Sequence, residues 1–184
     1  MATIKKRINI LCLFVMIICG MLIVVLNVRT SVTGLGNASA AIYSDNVVKS
    51  ANTIAENAST DEEKVKAFYS YIIKNFDYDK NIPLFQHSNL DETIETKKGM
   101  CFDFSNLFAA YCRTHNIPCV VVEGISDSSR TIHQWNRVFF NDTWYDVDIT
   151  NDIAAYKQET PLYGFVEIEG KTSPADGYTI TKIL

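Results

Sequence analysis

The stretch Gly99-Met100-Cys101-Phe102-Asp103-Phe104-Ser105 constrains this chain more than any other. From Phe104, apolar residues recur at Leu107, Phe108 and Tyr111, the i, i+3, i+4, i+7 stripe of a helix with one buried face. That makes Cys101 the residue opening the helix. At such an end the backbone N–H groups lack intrahelical partners and the dipole is positive, so an anion is favoured. A thiol placed there gives up its proton more readily, and the thiolate is the nucleophilic form. The competing reading is a small buried structural cysteine, the commoner fate of a free thiol. Residues further along bear on the choice.

After the helix, His115-Asn116 supplies a left-handed cap and Pro118 prevents continuation. Cys119 to Glu123 is β-branched and stops at Gly124, which predicts a strand. Ile132 to Phe140, the turn Asn141-Asp142, and Thr143 to Thr150 read as an antiparallel hairpin. With that turn, His133 faces Thr150 and Asp148 faces Trp135. His133 and Asp148 are then diagonal neighbours on one face, about 7–8 Å apart at the backbone. An imidazole and a carboxylate bridge that gap with a hydrogen bond. Asp146 points to the same face and competes for the role, at a larger offset. Trp135 and Trp144 are expected to pack around the pair. A helix-borne cysteine followed by an antiparallel hairpin suggests an α+β domain.

The chemistry suits a cysteine acyl-transfer site. Cys101 would attack an acyl carbon, His133 would move the proton, and Asp148 would fix the imidazole tautomer. The Cys101 N–H would donate to the oxyanion. Tyr78 and Gln86, from the loop upstream, are candidates for a second donor.

Three blocks carry a resemblance: Gly-Met-Cys101-Phe-Asp-Phe-Ser, His133-Gln-Trp-Asn-Arg-Val, and Trp144-Tyr-Asp-Val-Asp148-Ile-Thr150. Together they resemble the transglutaminase-like superfamily, with its G-x-C helix, H-x-W strand and W-x-x-x-D-x-T strand. The likeness runs from about Glu63 to Thr150. It implies a papain-like fold in which Cys101, His133 and Asp148 match the family's catalytic triad. Two departures are visible. Asp-Ile-Thr stands where D-P-T is usual, and no tryptophan precedes Cys101, where animal members use one to support the oxyanion.

Upstream, Lys5-Lys6-Arg7 precede an apolar run from Ile10 to Leu26. Its length lies between a signal-peptide core and a spanning helix. Residues 1–30 therefore read as a signal peptide or an N-terminal membrane anchor, and Ala38-Ser39-Ala40 resembles a cleavage site. Residues 31–44 read as a tether and 45–184 as the catalytic domain. The flanking cations leave the amino end in the cytoplasm and the remainder extracytoplasmic, membrane-anchored or secreted. Beyond residue 40 stand 13 basic against 21 acidic residues, a net −8. Such a surface argues against nucleic acid as a partner. The expected partner is a protein or peptide substrate of the cell envelope, and oligomeric state is left open.

Within the domain, Ser44 can cap a short helix carrying Val47, Val48, Ala51, Ile54 and Ala55 on one side. Thr60-Asp61-Glu62-Glu63 is a capping box opening a helix with Val65, Phe68, Tyr69, Ile72, Ile73 and Phe76 as core. Tyr78 to Leu90 reads as a loop, and Asp91 to Lys98 as irregular or weakly helical. Gly164 to Glu169 and Tyr178 to Ile183 are candidate strands. Cys101 and Cys112 lie about 16 Å apart along one helix, too far for a disulfide. A Cys112–Cys119 bridge is possible in spacing, and nothing else in the sequence supports it. No cofactor or metal is expected: calcium-loop and zinc spacings are absent from the sequence. Two function classes stay open, a Cys–His–Asp acyltransferase or hydrolase and a non-enzymatic cell-envelope binding or scaffolding domain. Within the first, amine transfer and hydrolysis are equally compatible with the residues.

Overall fold

A computed structural model describes residues 43–81, 89–168 and 175–184. The N-terminal signal or anchor and most of the tether lie outside the described residues, as do Gln86 and the loop around it. The described chain begins with α1 (Asp45–Ile54), capped by Ser44, whose Oγ accepts from Val47 N at 3.2 Å. Val47, Ala51 and Ala55 form its buried stripe. Val48, expected on that side, is 36% exposed, because an i, i+4 stripe of small residues leaves its neighbour at the helix edge.

Helix α2 (Asp61–Asn75) opens on the expected capping box. Glu63 N donates to Thr60 Oγ1 at 3.2 Å, and the Glu63 carboxylate accepts from Thr60 N at 3.0 Å. All six core positions read from its sequence are buried. The chain then forms β1 (Asp77–Tyr78), which runs parallel to β2 (Lys98–Gly99). Between them lies α3 (Leu90–Thr96), capped by the Asn89 side chain and closed by Lys97 in a left-handed conformation. The stretch read as irregular or weakly helical is thus one capped helical segment, which also takes in Leu90 from the expected loop.

The central helix α4 (Cys101–Thr114) starts at Cys101, as the stripe requires. It lies against β3 (Cys119–Ser126) and β4 (Ile132–Phe140). Strand β5 (Thr143–Val147) returns from β4 through Asn141-Asp142, both with positive φ, the geometry of a two-residue hairpin turn. The register pairs Phe140 with Thr143 and Asn136 with Val147. The returning strand was expected to reach Thr150 but stops at Val147. Asp148 leaves the ladder and caps α5 (Ile149–Lys157), a helix not anticipated. Strands β6 (Val166–Glu167) and β7 (Tyr178–Ile183) complete an antiparallel sheet of order β6-β5-β4-β3-β7.

Alternation along the strands divides the apolar residues between two faces. Cys119, Val121, Val138, Phe140 and Val147 join one core with Phe68, Phe104, Phe108 and Tyr111 of the helices. On the other face Val120, Val122 and Trp135 form a smaller cluster, with Trp144 and Tyr178 packed against it. Gly124, expected to end β3, lies inside it. A Cβ there would sit 2.9 Å from Trp135 Cη2 and 3.2 Å from the Thr179 carbonyl oxygen. Glycine is therefore what allows the indole to lie across β3 while β7 pairs on the far edge. Gly124→Ala should overpack this contact and cost about 1–3 kcal/mol. Urea unfolding of the two proteins would read this as a lower midpoint at similar slope.

Candidate functional site

The N-terminus of α4 is built by its own first turn. Asp103, in that first turn, is 4% exposed and turns back to accept from Met100 N at 2.7 Å. Burial raises its pKa, and that hydrogen bond opposes the rise. Gly99 lies beneath this turn. A Cβ on it would approach Asp103 Cβ to 2.7 Å and Phe104 Cε1 to 2.9 Å. The glycine of the G-x-C pattern thus lets the chain pass under the first turn and deliver Cys101 at the helix end. Cys101 itself is 5% exposed.

Facing Cys101 is His133, near the start of β4. The His133 side chain hydrogen-bonds Asp148, and Cys101 is near enough to help raise the pKa of the ring. Its Nε2–H donates to Asp148 Oδ2 at 2.6 Å, which leaves Nδ1 for the thiol. The structure therefore brings together all three residues read as a site from the sequence. It does so by a different local route. No ladder pair holds Asp148 opposite Trp135; the carboxylate stands at the N-cap of α5. Its Oδ1 accepts from Asn151 N at 3.0 Å and its Oδ2 accepts from Asn151 Nδ2 at 2.7 Å. The competitor, Asp146, is engaged elsewhere: it faces Arg137 across the ladder and accepts from Arg137 Nε at 2.8 Å.

Charge follows from this geometry. Burial pushes the His133 pKa down, but the hydrogen bond to Asp148 and the charges on Asp148 and Cys101 outweigh burial and carry it up to about 10. The imidazolium is the form the site favours at neutral pH. Tyr78 and Tyr178 border the same site. Burial raises the pKa of each, and Cys101 adds to the rise in both, together with Asp103 for Tyr78 and Asp148 for Tyr178. Both therefore present hydroxyl groups, not phenolates. Tyr78 reaches the site because β1 pairs in register with Gly99, two residues before Cys101.

Trp135 is fully buried and stacks on His133 with centroids 6.2 Å apart, as packing around the site requires. Trp144 packs on Phe139. Cys112 and Cys119 are buried free thiols, and burial holds the Cys112 pKa well above the ordinary thiol value, with Cys119 adding to the rise. Among the described residues, no group of three or more His, Cys, Asp or Glu is arranged to hold a metal ion.

Because the folded pKa of His133 is raised, its contribution to stability is complete below the unfolded value of about 6.5 and is lost as pH rises through about 10. Asp148→Ala should abolish that alkaline dependence and also lose the α5 cap, at about 1 kcal/mol for the cap alone. Unfolding free energies measured from pH 6 to 11 in both proteins would read the two effects separately.

This geometry meets its likeness in known proteins. A profile of the transglutaminase-like superfamily matches residues 48–149, more than half of the chain. Kyphoscoliosis peptidase of Mus musculus is 27% identical over 113 residues, covering 53% of this chain and 17% of its own length. The chain therefore spans less than a fifth of that curated relative. A candidate cysteine protease from Cytophaga hutchinsonii superposes with a TM-score of 0.52 at 23% identity, covering 76% of this chain and 49% of that one. The periplasmic domain of TgpA from Pseudomonas aeruginosa does so with a TM-score of 0.53 at 19% identity, covering 65% and 46%. These superpositions carry the same mixed fold of helices on an antiparallel sheet. By its sequence profile and its fold, the chain belongs to the transglutaminase-like superfamily.

Proposed function

We propose that this domain is a cysteine acyltransferase or hydrolase that acts on protein or peptide amides through a thioester on Cys101. The observation that carries the reading is the His133–Asp148 hydrogen bond at 2.6 Å, with Cys101 beside the ring at the N-terminus of a buried helix. The Cys101 thiolate attacks the amide carbon. Negative charge gathers on the carbonyl oxygen, where the Cys101 N–H at the helix end donates to it. The Tyr78 hydroxyl, bordering Cys101, is the second donor in this reading; it takes the place of the tryptophan that this chain lacks.

His133 then gives its Nδ1 proton to the departing amine, and the acyl group remains on sulfur as a thioester. In the second half, His133 removes a proton from the incoming amine or water, which attacks the thioester and restores the thiol. Asp148 holds the ring through Nε2 and offsets its positive charge in both halves. An amine acceptor gives a cross-link or a transferred acyl group. Water gives deamidation or peptide cleavage. The extracytoplasmic, membrane-anchored or secreted setting is part of the proposal, supported by the cationic and apolar pattern of residues 5–26. A periplasmic domain among the structural neighbours is consistent with it.

The test uses the full chain beside Cys101→Ala, each incubated with glutamine-containing peptides, with and without a labelled primary amine. Mass spectrometry should show amine incorporation, a one-dalton deamidation or cleavage in the wild type, reduced by roughly 10³-fold or more in the variant. Products that persist unchanged in Cys101→Ala would overturn the assignment.

A further inference from the structure

Tyr178 is the first residue of the last strand, beyond the family-profile match, and the course of that strand aims it at the site. Near Val122 and Glu123 the β3–β7 register pairs Val122 with Ile183 and Glu123 with Lys182. It then slips, so that Gly124 pairs with Ile180 and Ser126 with Tyr178. Thr181 is the extra residue of this bulge, and its Oγ1 is tied to Glu123 by hydrogen bonds at 3.2 and 3.3 Å. A one-residue slip exchanges the two faces of a strand. Without it Tyr178 would lie opposite Asp127. With it Tyr178 shares a face with Gly124, whose cross-strand partner is His133.

The result is a triangle of rings. Tyr178 lies 5.5 Å from His133 and 5.6 Å from Trp135, and Trp135 lies 6.2 Å from His133. Tyr178 is half-buried and packs on Trp135 as well as on His133. A cation within about 6 Å of an aromatic centroid is attracted by the negative face of the ring.

We propose that the bulge in β7 makes Tyr178 a positioning residue: its ring lies against His133, holds the imidazolium turned toward Cys101, and stabilises its positive charge. The raised pKa of His133 agrees with a ring that spends neutral pH as a cation. The other titratable groups facing that cation are Asp148 from the α5 cap and Cys101 from α4, with Tyr78 near Cys101. The inference rests on the proposed Cys101–His133 pair, so the test separates the two.

The readout is the rate of Cys101 alkylation by iodoacetamide from pH 4 to 10 in the full chain, followed by peptide mass spectrometry. Trypsin releases Cys119 in a peptide separate from that of Cys101. Cys112 shares the Cys101 peptide and is distinguished by fragmentation. Tyr178→Leu should move the acid limb of the profile to higher pH by roughly half a unit to one unit, which slows the reaction by roughly three- to tenfold at pH values on that limb. Tyr178→Phe, which keeps the ring, should match the wild type. Tyr178→Met is the alternative if the leucine variant loses its circular-dichroism spectrum. A leucine or methionine profile that overlays the wild type would overturn the inference. A phenylalanine variant that shifts as far as leucine would do the same, because the ring would then not be the acting group. His133→Ala is the control for the underlying pair: if it leaves the wild-type profile unchanged, the pair itself fails, independently of Tyr178.

Discussion

Asp148 divides one carboxylate between two structural demands. Oδ1 accepts from the backbone at the start of α5, and Oδ2 accepts from His133 Nε2. Each contact makes the other more definite. The cap fixes where the carboxylate stands, because α5 is anchored in the core by Ile149 and Ile153. The carboxylate then fixes the imidazole, and the imidazole faces Cys101 at the start of α4. At 1% exposure such a charge is tolerable only with partners, and it has His133 and two groups of Asn151. Helix placement and proton chemistry therefore share one residue.

The rest of the fold supplies rigidity to that arrangement. Asn136, on β4, donates to the Ser105 carbonyl on α4 at 2.9 Å, tying the strand of His133 to the helix of Cys101. Asp152, one turn into α5, accepts from the Tyr69 hydroxyl at 2.8 Å and from the backbone of Tyr163 and Gly164. That joins α5 to α2 and to the segment entering β6. Hydrogen bonds between buried polar groups narrow the range of relative positions of their elements. An acyl-transfer site needs such precision, since misplacement by about 1 Å can cost 10²-fold in rate.

Much of this was legible in local chemistry. Thr60 and Glu63 announce a capping box, and the apolar stripe of α4 places Cys101 at its start. Asn141-Asp142 sets the hairpin register through Asn136 and Val147. The errors lie where tertiary contacts override local pattern. β-Branched Ile149 and Thr150 extend a strand pattern, yet Asp148 turns the chain into a helix because Ile149, Ile153 and Ala155 find a buried surface there. A period of i, i+4 after an Asp cap was the signal available for it. Gly124 resembles a terminator, yet it is the one residue over which Trp135 fits. Tyr178 carried no signal at all. Its orientation depends on a bulge between two distant strands, and nothing in the six residues of β7 specifies it.

The imidazolium of His133 is the central claim, and titrating it is the most direct test. The chain has three histidines, so a heteronuclear spectrum of labelled protein can be assigned with a His133→Gln variant. His115, held below its ordinary pKa by burial and by the charge of Lys64, is an internal reference. The account predicts that the His133 ring stays protonated through pH 8 and titrates near 10. It also predicts a large fall in that midpoint in Asp148→Ala. A His133 ring that titrates at or below about 6.5, as an unperturbed imidazole does, would contradict it.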